Sequence, residues 1–406
     1  MSELTGMRLY NTLTGSIEPF RSRDGKVGIY VCGVTPYDTT HAGHAFTFLT
    51  FDVLVRFFRA LGEEVTYVQN VTDIDDDILR KAKEAGVDWQ ELGAAETARL
   101  RRDMRALNAL DPDHFVLATD HIPEMVTLIE SLVAAGHAYE SGGSVYFSVE
   151  SDPEYGKLSG IARPDMLAVA NERGNVPDDP KKRDPLDFVL WQAAAAGEPT
   201  WETPWGPGRP GWHIECSAMA TYYLGNTIDI HGGGSDLVFP HHESEIAQSE
   251  LATTERPFSR VWMHAAMVSY QGEKMSKSLG NLIRVSDVLT TYHADALRLY
   301  LLDHHYRDPW AYVDDEIDTW DGVRRDLVEA SEFTTFGRDI VVDVSSERER
   351  FYNAMSDDLG TPAAIGALRG VAQVILESPE DEDSRDAQDT LRELADIIGL
   401  ALDREE

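Results

Sequence analysis

The 406-residue chain contains only two cysteines, Cys32 and Cys216, and eight lysines, none of them after Lys277. Two thiols so far apart in sequence cannot form the disulfide framework of a secreted protein of this size, so a metal or catalytic role is the one to test. No stretch approaches the roughly eighteen uncharged apolar residues that a bilayer-spanning helix needs. Met1 to Gly6 also lacks the basic-then-apolar pattern of a secretory leader. A cytoplasmic protein with no membrane partner is expected, and a monomer. Positive charge is scarce too: 71 acidic residues against 36 basic give a net charge of -35, which lacks the usual electrostatic footprint of nucleic-acid binding. Such an acidic, lysine-poor composition resembles that of proteins adapted to high salt. Repeats and low-complexity tracts are missing as well. What remains is an ordinary globular composition, 42% hydrophobic and 9% aromatic, with enough length for two or three domains.

Residues 27–33 form a short apolar run bounded by glycines, as a buried parallel strand would. Phe46, Leu49, Val53, Phe57 and Leu61 then recur at helical spacing, and Glu64 to Asn70 reads as a second strand. This strand-helix-strand unit opens a nucleotide-binding fold. From about residue 109 to 203 the texture changes to a helix over 123–135, a hairpin near 139–149 and a Pro- and charge-rich run over 163–185, which reads as an insertion. Strand and helix signals return from Trp205, with a strand over 227–231 ended by Gly232, Gly233 and Gly234. Beyond Arg284 the pattern predicts helices over 287–302, 317–330, 347–355, 362–377 and 386–402. The expected fold class is α/β: a Rossmann-type parallel-sheet catalytic domain with an inserted α+β connective subdomain and a C-terminal helical bundle. The expected boundaries are 1–108 and 204–285 for the two catalytic halves, 109–203 for the insertion and 286–406 for the helical domain.

Three constellations carry chemistry. His41-Ala42-Gly43-His44 falls at the predicted start of the first helix, where free N–H groups, the positive dipole end and a close-approaching glycine suit a triphosphate. Taken alone, it could be two polar residues at a helix start. Lys274-Met275-Ser276-Lys277-Ser278 is a glycine-flanked loop whose lysines can neutralise departing pyrophosphate; a solvated surface loop is the plain alternative. Together, and more than two hundred residues apart across a nucleotide-binding pattern, the two resemble the HIGH and KMSKS signatures of class I aminoacyl-tRNA synthetases. In the third, Cys32, Cys216, His241 and Glu245 offer two thiolates, an imidazole and a carboxylate, a workable zinc set. His241 and Glu245, four apart, would share a helix face. On spacing alone, both cysteines could equally be small buried hydrophobes.

Val31-Cys32-Gly33, residues 68–76 (VQNVTDIDD), 208–216 (GRPGWHIEC), 229–236 (DIHGGGSD) and 239–243 (FPHHE) resemble cysteinyl-tRNA synthetases and their relatives, the mycothiol-pathway cysteine ligases. The resemblance implies an ATP-dependent, AMP-forming cysteine ligase. It implies zinc on Cys32, Cys216, His241 and Glu245, Mg²⁺ with ATP, and substrate contacts from Cys32, Thr35, Thr72, Trp212 and His241. ATP is expected against His41, His44, Gly232, Gly233, Gly234, Asp236, Lys274, Met275, Ser276 and Lys277, with His41, His44, Lys274 and Lys277 catalytic. Sulfur selection by zinc needs no proofreading domain, and none is evident in the insertion. Two acceptors remain. Thr35-Pro36-Tyr37-Asp38 with a second histidine at His44, the insertion stretch 159–177, the mere 128 residues after Ser278 and an acidic, lysine-free C-terminal quarter all resemble the ligase. The expected acceptor is therefore the amine of glucosaminyl-inositol, in mycothiol-type biosynthesis. Glu245 and the segment 243–249 resemble the synthetases instead and keep tRNA(Cys) as the alternative.

Overall fold

The computed structural model describes residues 6–37, 40–275, 280–333, 335 and 340–403. Strand β1 (Lys26–Val34) buries Val27, Ile29 and Val31 in one hydrophobic core and Tyr30 and Cys32 in another, as period-two alternation demands of a strand covered on both faces. Helix α1 (Ala42–Ala60) follows, started by His41, whose Nδ1 accepts a hydrogen bond from the Gly43 backbone N–H at 3.1 Å. Its apolar residues Phe46, Leu49, Val53 and Phe57 lie in the first core. Strands β2 (Glu64–Val71) and β3 (His114–Leu117) come next. After the insertion run helix α2 (Trp212–Leu224), strand β4 (Ile228–Gly234), helix α3 (Glu243–Thr253) and strand β5 (Ser259–Ala265).

The five strands form one parallel sheet in the order β5–β4–β1–β2–β3. Strand order reverses between β1 and β4, and in an open α/β sheet the crevice beyond the carboxyl ends at that reversal is where ligands bind. Cys32 and the Gly232–Gly234 run stand on either side of it. On the first face, α1 packs with the C-terminal helices; on the second, α2, the helix Ile122–Ala135 and the insertion bury Cys32 and Cys216.

The insertion carries its own antiparallel sheet of Ala138–Ser141, Ser144–Phe147, Phe188–Ala193 and Gly208–Pro210, so the expected bounds 109–203 shift at both ends: residues 114–117 pair in the central sheet, and the inserted sheet runs on to Pro210. The Pro-rich run contains a helix, Arg163–Asn171. Near the C-terminus the helices are Glu316–Glu332, Ser345–Ser356, Thr361–Leu376 and Arg385–Ile397. The expected continuous helix over 287–302 is instead broken into Val285–Val288 and α4 (Ala294–Leu302). His293 sits in extended backbone there, and its Nδ1 accepts from the Asp295 N–H at 3.1 Å, so a polar side chain caps a new helix where apolar periodicity suggested one long one. The last helix likewise stops at Ile397, short of the expected 402, before Gly399 at φ +73°. Three short strands went unforeseen: Val268–Tyr270 bonds both Glu273–Lys274 and Trp310–Tyr312, tying the stem of the lysine loop to the segment past the sheet.

Gly232 shows how tightly α1 lies on the sheet, since a β-carbon there would stand 2.2 Å from the Phe51 ring. Gly232→Ala is expected to cost about 1–3 kcal/mol in urea unfolding. Combining it with Phe51→Leu should recover part of that loss.

Candidate active site and metal centre

Four side chains from four elements meet in the crevice. Cys32 comes from β1, Cys216 from α2 and Glu245 from α3, while His241 precedes α3 in a distorted turn, Val238–His242, with Phe239 in extended backbone. The two sulfurs are 3.7 Å apart, Cys32 Sγ is 3.7 Å from Glu245 Oε1, and His241 Nε2 is 3.1 Å from the same oxygen. All four donor atoms fall within 4.8 Å of one another, and all four residues are buried. His241 and Glu245 thus converge as their spacing suggested, although His241 is not on the regular helix.

Burial pushes the Cys32 thiol and the Glu245 carboxyl well above their usual ranges and the His241 imidazole well below its own. Without a cation, each group is held toward its neutral form. Two sulfurs, one imidazole nitrogen and one carboxylate oxygen brought together in a buried cluster are the donor number and chemistry of a tetrahedral transition-metal site, so these residues fit such an ion. A second overlapping set, Cys32, His231, His242 and Glu245, is equally close. Its two histidines have other engagements. Thr12 Oγ1 lies 2.8 Å from His264 Nδ1, His264 Nε2 lies 2.7 Å from His242 Nδ1, and His242 Nε2 lies 3.2 Å from Cys32 Sγ. With protons assigned in one direction along this run, each imidazole accepts at Nδ1 and donates from Nε2, and the last N–H points at the sulfur. His231 Nε2 in turn donates to Glu245 Oε2 at 2.9 Å. These histidines hold the donors; they do not compete with them.

His213 acts on the remaining ligand. Its Nδ1 is 2.9 Å from His241 Nδ1, and burial pushes it down to about 3, so it is a neutral acceptor. A proton on His241 Nδ1 then donates to His213 and leaves His241 Nε2 for the ion. Trp212 stacks on the His241 ring at 4.3 Å between centroids. Of the 13 histidines in the chain, five gather here, and only His241 was assigned from sequence. His231 and His242 lie inside the recognised motifs, so their signal was proximity in sequence; His264 carried none. Glu215, next to Cys216, was also missed: it is fully buried, and among the described residues neither carboxyl oxygen has a hydrogen-bond partner.

On the sheet's other flank a cavity of about 480 Å³ is lined by Cys32, His41, His44, Gly234, Asp236 and Met275. The His41 and His44 rings stack at 3.8 Å over the start of α1, and the Gly43 N–H bond to His41 Nδ1 puts that ring's proton on Nε2, a donor to phosphate oxygen. Gly232 and Gly233 do not line it: they give way to Phe51 and to Leu237 and His242 respectively. Thr35 lines it too, and its hydroxyl donates to Asp75 Oδ2 at 2.9 Å. Thr72 is buried and accepts from Asn70 Nδ2 at 3.2 Å. Lys274 closes the short strand Glu273–Lys274, while Ser276 and Lys277 lie outside the described residues, as does Asp38. Among the described residues no helix is long and apolar enough to cross a membrane.

Residues 19–321 match the family model "tRNA synthetases class I (C) catalytic domain", and residues 350–403 match the DALR domain. The cysteine–tRNA ligase of Legionella pneumophila (strain Paris) is 44% identical over 97% of this chain and 85% of its own length. That of Halorhodospira halophila is 47% identical, again over 97% and 85%. In fold, the chain resembles Mycobacterium tuberculosis methionyl-tRNA synthetase in complex with methionyl-adenylate, with a TM-score of 0.64 at 16% identity over 92% of this chain and 89% of that one. These findings overturn the expected aminosugar-inositol acceptor and the place in mycothiol-type biosynthesis. The relatives at 42–47% identity are cysteine–tRNA ligases along nearly the whole chain, including the acidic helical end that had read as a poor RNA surface. Of the ligase-like residues, Thr35 to Tyr37 sit in one loop, His44 at a helix start and 159–177 in the insertion, while Glu245, the residue that pointed to the synthetases, stands in the buried donor cluster.

His213→Phe removes the acceptor behind His241 while keeping a ring of similar size. Affinity for a transition metal, measured by chelator competition, is expected to fall about 10- to 100-fold. An unchanged affinity would mean that His213 does not orient the ligand.

Proposed function

The chain belongs to the class I (C) tRNA synthetase family, and from that premise we propose that it is a cysteine–tRNA ligase, joining L-cysteine to tRNA(Cys) through a cysteinyl adenylate. It is an ATP-dependent ligase of the class I aminoacyl-tRNA synthetase family. The observation that carries the cysteine reading is the buried cluster of two sulfurs, a nitrogen and a carboxylate beside the nucleotide cavity. The proposed ion is zinc, held by Cys32, Cys216, His241 and Glu245; when bound it supplies a soft Lewis acid that prefers a substrate thiolate to the hydroxyl of serine.

The chain's own residues divide the remaining work. His41 and His44, at the positive end of α1, receive the triphosphate of ATP, with Asp236 and Gly234 on the facing wall. Trp212 and Thr72 flank the amino acid, and its carboxylate oxygen attacks the α-phosphorus while the bond to the departing pyrophosphate breaks. Lys274 and Lys277, with Mg²⁺ on the triphosphate, neutralise the charge that develops, so the rate gain is positioning and electrostatics. In the second step a terminal ribose hydroxyl of the tRNA attacks the acyl carbon, AMP leaves and the hydroxyl proton passes to solvent. Within this reading the inserted subdomain between β3 and α2 and the helical residues from 286 serve the acceptor, and the five-stranded sheet with its flanking helices serves adenylation.

Incubation with ATP, radiolabelled cysteine and tRNA should transfer label to tRNA; label retained as adenylate and never transferred would refute the acceptor. Lys277→Ala is expected to lower cysteine-dependent ATP–pyrophosphate exchange roughly a hundredfold or more with cysteine binding retained. Cys216→Ser should release the metal, seen by elemental analysis, and narrow the preference for cysteine over serine in the exchange assay.

A further inference from the structure

Three of the four donors in the buried cluster have an outer partner that orients them: His242 behind Cys32, His231 behind Glu245 and His213 behind His241. Cys216 is the exception. Its sulfur lies 3.7 Å from that of Cys32, and among the described residues no imidazole or amide donates to it.

The side chain placed to serve it is Tyr30. On β1, Tyr30 stands two residues before Cys32 and so on the same face, in the core that also holds Cys216. In the parallel pairing of β1 with β4 it is opposite His231, and the two rings pack at 5.1 Å between centroids. The side chain has no exposed surface, and among the described residues its hydroxyl has no hydrogen-bond partner. Burial pushes that hydroxyl well above the usual phenol range, and the Cys216 sulfur, the Cys32 sulfur and the Glu245 carboxylate push it further, so the polar end of the ring faces the donor cluster. An O–H orphaned in a buried core is disfavoured until an acceptor is present. A thiol is a weak acceptor, whereas a thiolate held by a cation is a good one.

The charge of the site gives such a donor a task. Two thiolates and a carboxylate already outnumber the charge of a divalent cation, and the proposed substrate adds a further thiolate. In a buried cluster that last anion is costly, and each O–H or N–H aimed at a sulfur draws some of the charge away. His242 does this for Cys32.

We propose that Tyr30 is a positioning residue of the metal centre: its hydroxyl donates to the Cys216 thiolate when the cation is bound, and by drawing charge off that sulfur it eases entry of the cysteine thiolate. The inference rests on the zinc reading above and adds a residue that the reading does not use. With it, each of the four ligands has its own outer partner.

Tyr30→Phe deletes only the oxygen and keeps the ring against His231. Chelator competition should show zinc affinity falling about tenfold, and in ATP–pyrophosphate exchange KM for cysteine should rise about tenfold while KM for ATP holds. With cobalt(II) in place of zinc, the sulfur-to-cobalt charge-transfer band should move to longer wavelength, because a thiolate that loses a hydrogen bond gives up an electron more readily. Replacing Tyr30 by 3-fluorotyrosine, a more acidic donor, should move the band to shorter wavelength. A ring that serves only packing gives no such pair of opposite shifts. An unmoved band in Tyr30→Phe, shifts in one direction for both replacements, or KM for ATP rising in step with that for cysteine would each overturn the assignment. Wild-type protein that takes up neither zinc nor cobalt would overturn the metal centre itself and the inference with it, and that control separates the two failures.

Discussion

Burying two thiols, a carboxyl and an imidazole within 4.8 Å of one another is the constraint around which the rest of this structure is organised. In a dry site an unpaired anion is disfavoured by several kcal/mol, so the cluster is stable in its charged form only with a cation and with surrounding groups that point the right way. The fold supplies the donors and their orientation through topology. Cys32 reaches the site because β1 alternates, Cys216 because α2 packs on the face where Cys32 emerges, and His241 and Glu245 because α3 begins just after β4 at the strand-order reversal. Histidines behind the donors then fix their lone pairs: His242 toward Cys32, His231 toward Glu245, His213 toward His241. None of them needs to change charge for this, since burial pushes the His213, His231 and His242 imidazoles well down from their usual range.

A second buried charge ties the nucleotide end of the site to the helical end of the chain. Arg298 on α4 has no exposed surface, and its guanidinium contacts Asp52 of α1, the Leu107 carbonyl at 2.8 Å and the Ile398 carbonyl at 2.5 Å. Asp52 also accepts from the Leu110 N–H at 2.7 Å and from Arg56, so both partners are saturated. A buried pair of this kind contributes little net stability but is costly to break, which makes it a device for fixing geometry. The geometry it fixes is the axial position of α1, whose first turn carries His41 and His44. Gly399 at φ +73° completes the fit, because a β-carbon there would run into the guanidinium.

Much of this was legible in the sequence wherever residues repeat with a period or stand in long ordered motifs. The run around Cys32 and the apolar spacing of α1 marked the first half of the sheet within one or two residues, and the four donors converge as the motifs implied. What escaped has no period. His264 is one residue in a buried strand, and only the fold brings its Nε2 to 2.7 Å from His242. The break before α4 depends on a single side-chain cap from His293, which overrode apolar spacing that continues smoothly across it. The pairing of Val268–Tyr270 with Trp310–Tyr312 joins segments some forty residues apart, and strands of three residues leave no alternation to read.

The acceptor was misjudged for a different physical reason: net charge is a sum, while binding is decided at contact range. At about 0.1 M salt the screening length is roughly 10 Å, so a surplus of -35 spread over the surface is largely invisible to a phosphate already seated in a cleft. What the phosphate meets is the local balance, and that depends on which cations are already neutralised. Arg23 and Arg260 share Asp229, Arg256 is held by Glu154 and Glu250, and Arg385 folds back on Asp383, so these count in the total and offer little to a ligand. Lys182 and Arg173 are bonded instead to an amide oxygen and a backbone carbonyl. Net charge therefore does not decide whether an acidic chain can hold a polyanion; the local distribution of partners, which composition does not record, does.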